Sequence, residues 1–152
     1  MLLFLKVIKM KIALGSDHGG YELKNKIIEV LKERNIEFRD FGCYSEESVD
    51  YPKFAKIVGE KVANNEFDLG ILTCGTGIGI SIAANKVKGV RASLVHDKES
   101  AKLTRQHNNS NILCMGGRIV DHDLALEITK IWLDSNFEGG RHQRRIDQIE
   151  EV

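Results

Sequence analysis

The segment from Leu69 to Lys86 constrains this chain more than any other. An apolar run, Leu69-Gly70-Ile71-Leu72-Thr73, leads into Cys74; Gly75, Gly77 and Gly79 follow at alternate positions, and then Ile80-Ser81-Ile82-Ala83-Ala84. The first part reads as a buried strand, the glycines as a tight turn, and the last part as a stretch able to form a helix. The rest of the chain repeats that order. Lys11–Gly15, Glu37–Phe41, Arg91–Val95 and Asn111–Met115 read as four further strands. Leu23, Ile27, Val30 and Leu31 recur at helical spacing and predict a helix stopping near Asn35. Pro52 sits where a second helix can begin, a helix separates the fourth and fifth strands, and others are predicted over Asp123–Leu133 and Arg141–Glu150. Regular alternation of this kind predicts an α/β fold, a parallel five-stranded sheet with helices on both faces.

Ligands in such sheets bind beyond the carboxyl ends of the strands, where the strand order reverses. Polar residues cluster after strands here: Asp17-His18 after the first, Cys74 after the third and Arg118 after the fifth. The turn at Cys74 is not a nucleotide fingerprint, because Ile80 occupies the third glycine position and the turn follows the third strand rather than the first. Nor is it a P-loop, because Ile80-Ser81 lacks the required lysine. What remains is a thiol beside backbone N–H groups at a helix start, a position that favours the thiolate and an adjacent anion. The plainer alternative is an ordinary buried cysteine whose neighbouring glycines serve packing.

Each other candidate also has two readings. Asp17-His18 is either a helix cap with a surface histidine or part of the ligand edge. In Arg105-Gln106-His107-Asn108-Asn109, His107 either interacts with a helix C-terminus or carries protons near neutral pH, and Asn108 is a candidate C-cap. Arg141 and Arg145 stand four apart on one helical face, where two guanidinium forks can close on a dianion. The alternative there is a solvated face balanced by Asp147 and Glu150. Trp132, with Ile128 and Ile131, belongs to the core or an interface. His96 and His122 have no partner at ligand spacing, so no metal is assigned.

Composition narrows the partners. Twenty-two Lys and Arg balance twenty-two Asp and Glu, so no overall field favours nucleic acid and an anion must be met locally. The three cysteines, Cys43, Cys74 and Cys114, suggest neither a disulfide framework nor a zinc spacing and point to a reducing cytoplasm. Met1-Leu2-Leu3-Phe4-Leu5 is broken by Lys6, is too short to span a bilayer and lacks a small-residue cleavage site. Met10 reads as a natural start, with residues 1–9 an upstream extension and residues 10–152 one domain. Alternatively, the leader lengthens the first strand.

Taken together and in order, the motifs carry a resemblance. Gly15-Ser16-Asp17-His18, Asp50-Tyr51-Pro52, Cys74-Gly75-Thr76-Gly77-Ile78-Gly79, Ser81 to Lys86, Arg105-Gln106-His107-Asn108, Gly117-Arg118 and Gly139-Gly140-Arg141-His142 closely resemble the type B ribose-5-phosphate isomerases. These are part of a wider sugar-phosphate isomerase family that includes galactose-6-phosphate isomerase subunits. The resemblance runs from Met10 onward and implies a three-layer, Rossmann-like, doubly wound fold. It further implies a homodimer or tetramer with sites at the subunit interface, and chemistry on a sugar phosphate without metal or organic cofactor. By position, Cys74 matches the base that moves a proton between C2 and C1, and His107 the ring-opening acid/base. Gly75, Thr76, Gly77, Ile78 and Gly79, with Ser81 close by, match the loop that stabilises the enediolate. Asp17, His18 and Asn108 match sugar contacts, and Arg118, Arg141 and Arg145 the phosphate clamp. Two readings compete: an isomerase of galactose 6-phosphate or allose 6-phosphate, and a non-catalytic sugar-phosphate or nucleotide-binding regulator. The His-Asn pair and the Gly-Gly-Arg-His segment argue for the pentose, and intact Cys74 and His107 argue for an enzyme.

Overall fold

The structure is a computed structural model and describes residues 9–152. Apart from Lys9, the expected extension over residues 1–9 lies outside the described residues. Chain order is β1 (Lys11–Ser16), α1 (Tyr21–Glu33), β2 (Glu37–Asp40), α2 (Pro52–Ala63), β3 (Leu69–Cys74) and α3 (Ile78–Ala84), then β4 (Ala92–Leu94), α4 (Lys98–Asn108), β5 (Ile112–Gly116), α5 (His122–Asp134) and α6 (Arg141–Glu150). The five strands form one sheet in the order β2-β1-β3-β5-β4, and every pairing is parallel. The anticipated α/β architecture is the one found.

Burial follows strand position. Every residue of β3 and β5 is buried, as central strands covered on both faces require, whereas edge strand β2 alternates between exposed and half-buried residues. On one face, Leu23, Ile27 and Leu31 of α1 and Ala125, Ile128 and Trp132 of α5 pack on Ile12, Leu14, Ile71 and Leu113. On the other, Ala55, Val58 and Val62 of α2 and Ile80 and Ala84 of α3 pack on Ala13, Leu72, Ile112 and Cys114. Each such Leu, Ile or Val side chain contributes about 1.5–3 kcal/mol on burial. Trp132 is fully buried core, and its indole N–H donates to Ser110 Oγ at 3.2 Å.

Element ends differ from the sequence reading by a residue or so. α1 ends at Glu33, because Asn35 takes a left-handed conformation (φ +56°) and turns the chain into β2. Asn109, not Asn108, caps α4: it is the residue with φ +46°, and its N–H returns to the Thr104 carbonyl. Lys24, on the inner face of α1, is buried, and its ammonium donates to Asp40 Oδ1 at 2.8 Å and to the Cys43 carbonyl. Among the described residues no helix is long and apolar enough to cross a membrane.

Candidate active site

From β1 the chain winds outward to β2, and from β3 it winds the other way, so strand order reverses between β1 and β3. Asp17-His18 leaves the carboxyl end of one strand and Cys74 ends the other, which places both at the crevice where such folds bind ligands. Backbone bonds knit these ends together. Asp17 N–H donates to the Thr73 carbonyl at 3.3 Å, Gly117 N–H to that of Cys74 at 2.8 Å, and Arg118 N–H to that of Gly75 at 2.9 Å.

The thiol of Cys74 is buried, and its Sγ accepts the Gly77 N–H at 3.1 Å. Gly77 makes that bond with φ +77°, and a Cβ on it would stand 2.7 Å from the Met115 carbonyl carbon and 2.8 Å from the Gly116 nitrogen. Only glycine fits, on both counts. At Gly79 a Cβ would meet the Tyr51 ring at 2.4 Å, so the residue preceding Pro52 closes over the loop. Thr76 is exposed, and its Oγ1 accepts the Ile78 N–H at 3.2 Å; the Ile78 side chain is half exposed. The Ser81 hydroxyl donates to the Ile78 carbonyl at 2.7 Å, so its proton is used within α3.

The Asp17 carboxylate accepts the Gly20 N–H at 3.1 Å in the turn before α1, but Gly20 is itself the N-cap and α1 has no side-chain cap, so Asp17 is not the helix cap; it lies at the crevice edge. His18 Nδ1 accepts the Val49 N–H at 3.2 Å, which leaves Nε2 to carry the proton of the neutral ring. The Arg118 guanidinium lies over Gly19 and Gly75, and with His18, Glu22, Glu46 and His122 it lines a cavity of about 300 Å³. A larger cavity of about 690 Å³ lies among Met10, Arg34, Ile36 and Leu133 at the amino end of the sheet. None of the candidate site residues lines it, so size does not mark the site.

His96 and His122, which the sequence left without a role, both brace the crevice. Gly116 N–H donates to His96 Nε2 at 3.1 Å; burial pushes that imidazole below its ordinary range, against the opposing pull of Asp97. His122 Nε2 pairs with the Gly117 carbonyl at 2.8 Å and its Nδ1 with Lys26 Nζ at 2.9 Å, which fixes the proton of the neutral ring on Nε2. No sequence spacing pairs either histidine with its partner.

The remaining candidates form a second group. His107 and Asn108 end α4, which runs antiparallel to the strands and delivers the chain to the start of β5. Arg141 and Arg145 lie on the first turns of α6, whose His142 stacks on His107 with ring centroids 4.3 Å apart and planes 13° apart. Burial, then the neighbouring His107 and Arg141, push the His142 imidazole down, while Glu138 pulls it up. Both arginines are exposed, and among the described residues neither they nor Arg118 form an ion pair with a carboxylate. Cys74 pairs in register with Gly116, at the far end of β5 from His107. Four steps of strand at about 3.3 Å each put about 13 Å between the two ends of β5. One chain therefore holds its candidate residues in two separate groups: thiol, loop and Arg118 at the carboxyl edge, and imidazole with two guanidiniums at the amino edge.

The family model described as Ribose/Galactose Isomerase matches residues 12–149. The chain belongs to this family. It is 57% identical over 141 residues to a putative sugar phosphate isomerase of Bacillus subtilis, covering 92% of this chain and 95% of that one. The structure of Clostridium thermocellum ribose-5-phosphate isomerase B superposes with a TM-score of 0.92 at 53% identity, covering 93% of this chain and 96% of that one. Ribose-5-phosphate isomerase B from Mycoplasma genitalium, solved with bound ribulose-5-phosphate, superposes at 0.89 with 49% identity, covering 93% and 95%. The Rossmann-like fold is thus common to the chain and these neighbours.

Proposed function

We propose that the chain interconverts D-ribose 5-phosphate and D-ribulose 5-phosphate by an enediolate mechanism, with Cys74 as the base. The observation that carries this reading is the Gly77 N–H held 3.1 Å from a thiol at the switch-point crevice. A sugar C–H is a weak acid, so catalysis needs both a placed base and stabilisation of the oxyanion that forms. The Cys74 thiolate takes the proton from C2 of the open-chain aldose, and the electron pair moves to O1 as the enediolate. Backbone amides of Gly75–Gly79 stabilise that charge. A proton then passes from O2 to O1, which moves the charge to O2, and return of the carbon proton from the Cys74 thiol to C1 leaves the carbonyl at C2 and a hydroxyl at C1.

Ribose 5-phosphate is mostly cyclic, and His107, half exposed at the end of α4, serves as the acid/base that opens the ring. Asp17, His18 and Asn108 hold sugar hydroxyls, and Arg118, Arg141 and Arg145 hold the phosphate. Phosphate binding, remote from C1 and C2, keeps the open chain in register for proton transfer. Because the half-sites lie at opposite ends of one sheet, the carboxyl-edge half of one chain is completed by the amino-edge half of a second copy, in a homodimer or a tetramer. Residues 10–152 act in this reading as one cytoplasmic catalytic domain that uses no cofactor.

The test is ribulose 5-phosphate formation from ribose 5-phosphate by wild type and Cys74→Ala. Turnover that collapses in the variant while ribose 5-phosphate binding persists is the expected result. Equal activity in both proteins overturns Cys74 as the base. No turnover in wild type overturns the substrate assignment and sends the assay to allose 6-phosphate and galactose 6-phosphate.

A further inference from the structure

His142, Glu138 and His107 form a cluster that the isomerase reading leaves partly unexplained. The His142 side chain is more than nine-tenths buried, and its Nε2 has no hydrogen-bond partner among the described residues. A buried polar atom without a partner is costly, so its retention asks for a reason. That nitrogen stands 3.6 Å from Glu138 Oε2, and the same oxygen stands 4.0 Å from His107 Nε2. All three ligand-type atoms lie within 4.8 Å of one another. Both contacts to Glu138 are too long for hydrogen bonds and suit an atom placed between them.

We propose that His107, His142 and Glu138 bind a first-row divalent transition metal of the Zn²⁺ class, and that the bound metal inhibits the enzyme by capturing the His107 imidazole. The inhibition half rests on the ring-opening role proposed above for His107; the binding half does not. Two imidazole nitrogens and one carboxylate oxygen are a familiar three-ligand zinc set, with a fourth position left for water. Metal–ligand bonds of about 2.0–2.1 Å in a tetrahedron place ligand atoms about 3.3 Å apart. The Glu138–His142 edge is already close to that.

The other two edges close by movement where movement is free. His142 is fixed in the protein, whereas His107 is partly exposed and Glu138 is exposed. The imidazole planes are stacked, and a metal on both nitrogens requires the His107 ring to fan away from its neighbour. Glu138 is held beside α4 by its own N–H, which donates to the Gln106 carbonyl at 3.0 Å. The flanking guanidiniums of Arg141 and Arg145 oppose a bare point charge. Binding must therefore come from nitrogen ligation, which selects Zn²⁺, Ni²⁺ or Cu²⁺ and excludes Mg²⁺ and Ca²⁺. Glu138 and His142 stand four apart, but His107 meets them only because α6 packs against α4, so no sequence spacing announces the three together.

The experiment titrates the full chain with Zn²⁺ calorimetrically and with Co²⁺ by its visible spectrum, for wild type, Cys74→Ser, Glu138→Gln and His142→Asn. One metal per chain in wild type and Cys74→Ser is expected, with binding weaker by roughly tenfold or more in Glu138→Gln and His142→Asn. Glu138 lies on the surface outside the proposed machinery, so Glu138→Gln should keep its basal turnover and need roughly tenfold more Zn²⁺ for half inhibition. Binding lost in Cys74→Ser, or unchanged in Glu138→Gln, assigns the metal to another site and overturns the proposal. Zn²⁺ binding in a protein without isomerase turnover would sink the function and leave the site standing. Turnover untouched by saturating, bound Zn²⁺ would sink the inhibition alone.

Discussion

Replacing Gly77 with alanine tests the centre of the site, and the structure gives the size of the effect. The residue sits at φ +77°, where a side chain is disfavoured by about 1–2 kcal/mol. The new Cβ would also stand 2.6 Å from Leu94 Cδ1, 2.7 Å from the Met115 carbonyl carbon and 2.8 Å from the Gly116 nitrogen. Leu94 can turn aside, but the end of β5 cannot, because Gly116 is bonded to His96 and paired with Cys74. Overpacking of this kind adds about 1–3 kcal/mol, for a total of about 2–5 kcal/mol. Gly139→Ala is the internal control. It has φ +70° with nothing within 4 Å of the added Cβ, so it isolates the backbone contribution of about 1–2 kcal/mol. Urea unfolding of the two variants separates strain from clash. Displacing the Gly77 amide from Sγ should also lower kcat for ribose 5-phosphate by about 10²–10³-fold, the effect of losing one preorganised donor. Equal stability of the two variants, or a Gly77→Ala enzyme with wild-type kcat, would refute the reasoning.

Burial lowers the affinity of His96 for a proton in the folded chain, so the unfolded chain binds protons more readily below about pH 6.5. The neutral-ring contribution is complete above that pH and shrinks as pH falls; denaturation at pH 7.5 and pH 5.5 (about one unit either side) should show the loss, and His96→Gln should flatten it. Lys24→Ala strands the Asp40 carboxylate and the Cys43 carbonyl in a largely buried setting, and a loss of about 3–5 kcal/mol in urea unfolding is expected. A loss under about 1 kcal/mol would mean that water replaces the ammonium. Arg145→Ala removes an exposed guanidinium without a carboxylate partner among the described residues, so stability should stay within about 0.5 kcal/mol while KM rises about 10–100-fold. Mixing Cys74→Ala with His107→Ala chains through reversible unfolding should restore about a quarter of wild-type activity, since half of randomly paired dimers hold one intact site of two. Two inactive parents giving an inactive mixture would place both half-sites in one chain.

The sheet was legible because β3 and β5 are continuous apolar runs, and a run that needs cover on both faces fixes a central strand whatever surrounds it. The carboxyl-edge group of candidates was legible for a related reason. Its residues sit immediately after strands, so local order along the chain translates directly into position in space. Lys24 was not legible as a buried residue: helical periodicity placed it on α1, but only the Cys43 carbonyl and Asp40, reached through the β2 turn, make its burial tolerable. Asn109 took the left-handed cap assigned to Asn108, because one-residue helix ends are decided by the strand that follows. His96 and His122 are held by partners that lie between 5 and 96 positions away, which no helical or strand periodicity pairs with them.

The division of the site follows from the same topology. In a parallel α/β chain each helix runs back against its strand, so residues ending strands gather at one edge and residues ending helices at the other. Cys74 and Arg118 belong to the first class; His107 and Asn108 belong to the second, and α6 carries Arg141 and Arg145 to the same side by stacking His142 on His107. No rotamer change spans the roughly 13 Å of β5 between them. A reaction that needs the thiol, the imidazole and the guanidiniums on one sugar phosphate can therefore be assembled from this chain only by bringing the two edges of different copies together. Under the proposed function, association is part of the active site rather than an addition to it. On that reading, a substitution that disrupts contact between copies should abolish turnover while leaving each chain's sheet intact, a separation that circular dichroism and an activity assay on one sample would show.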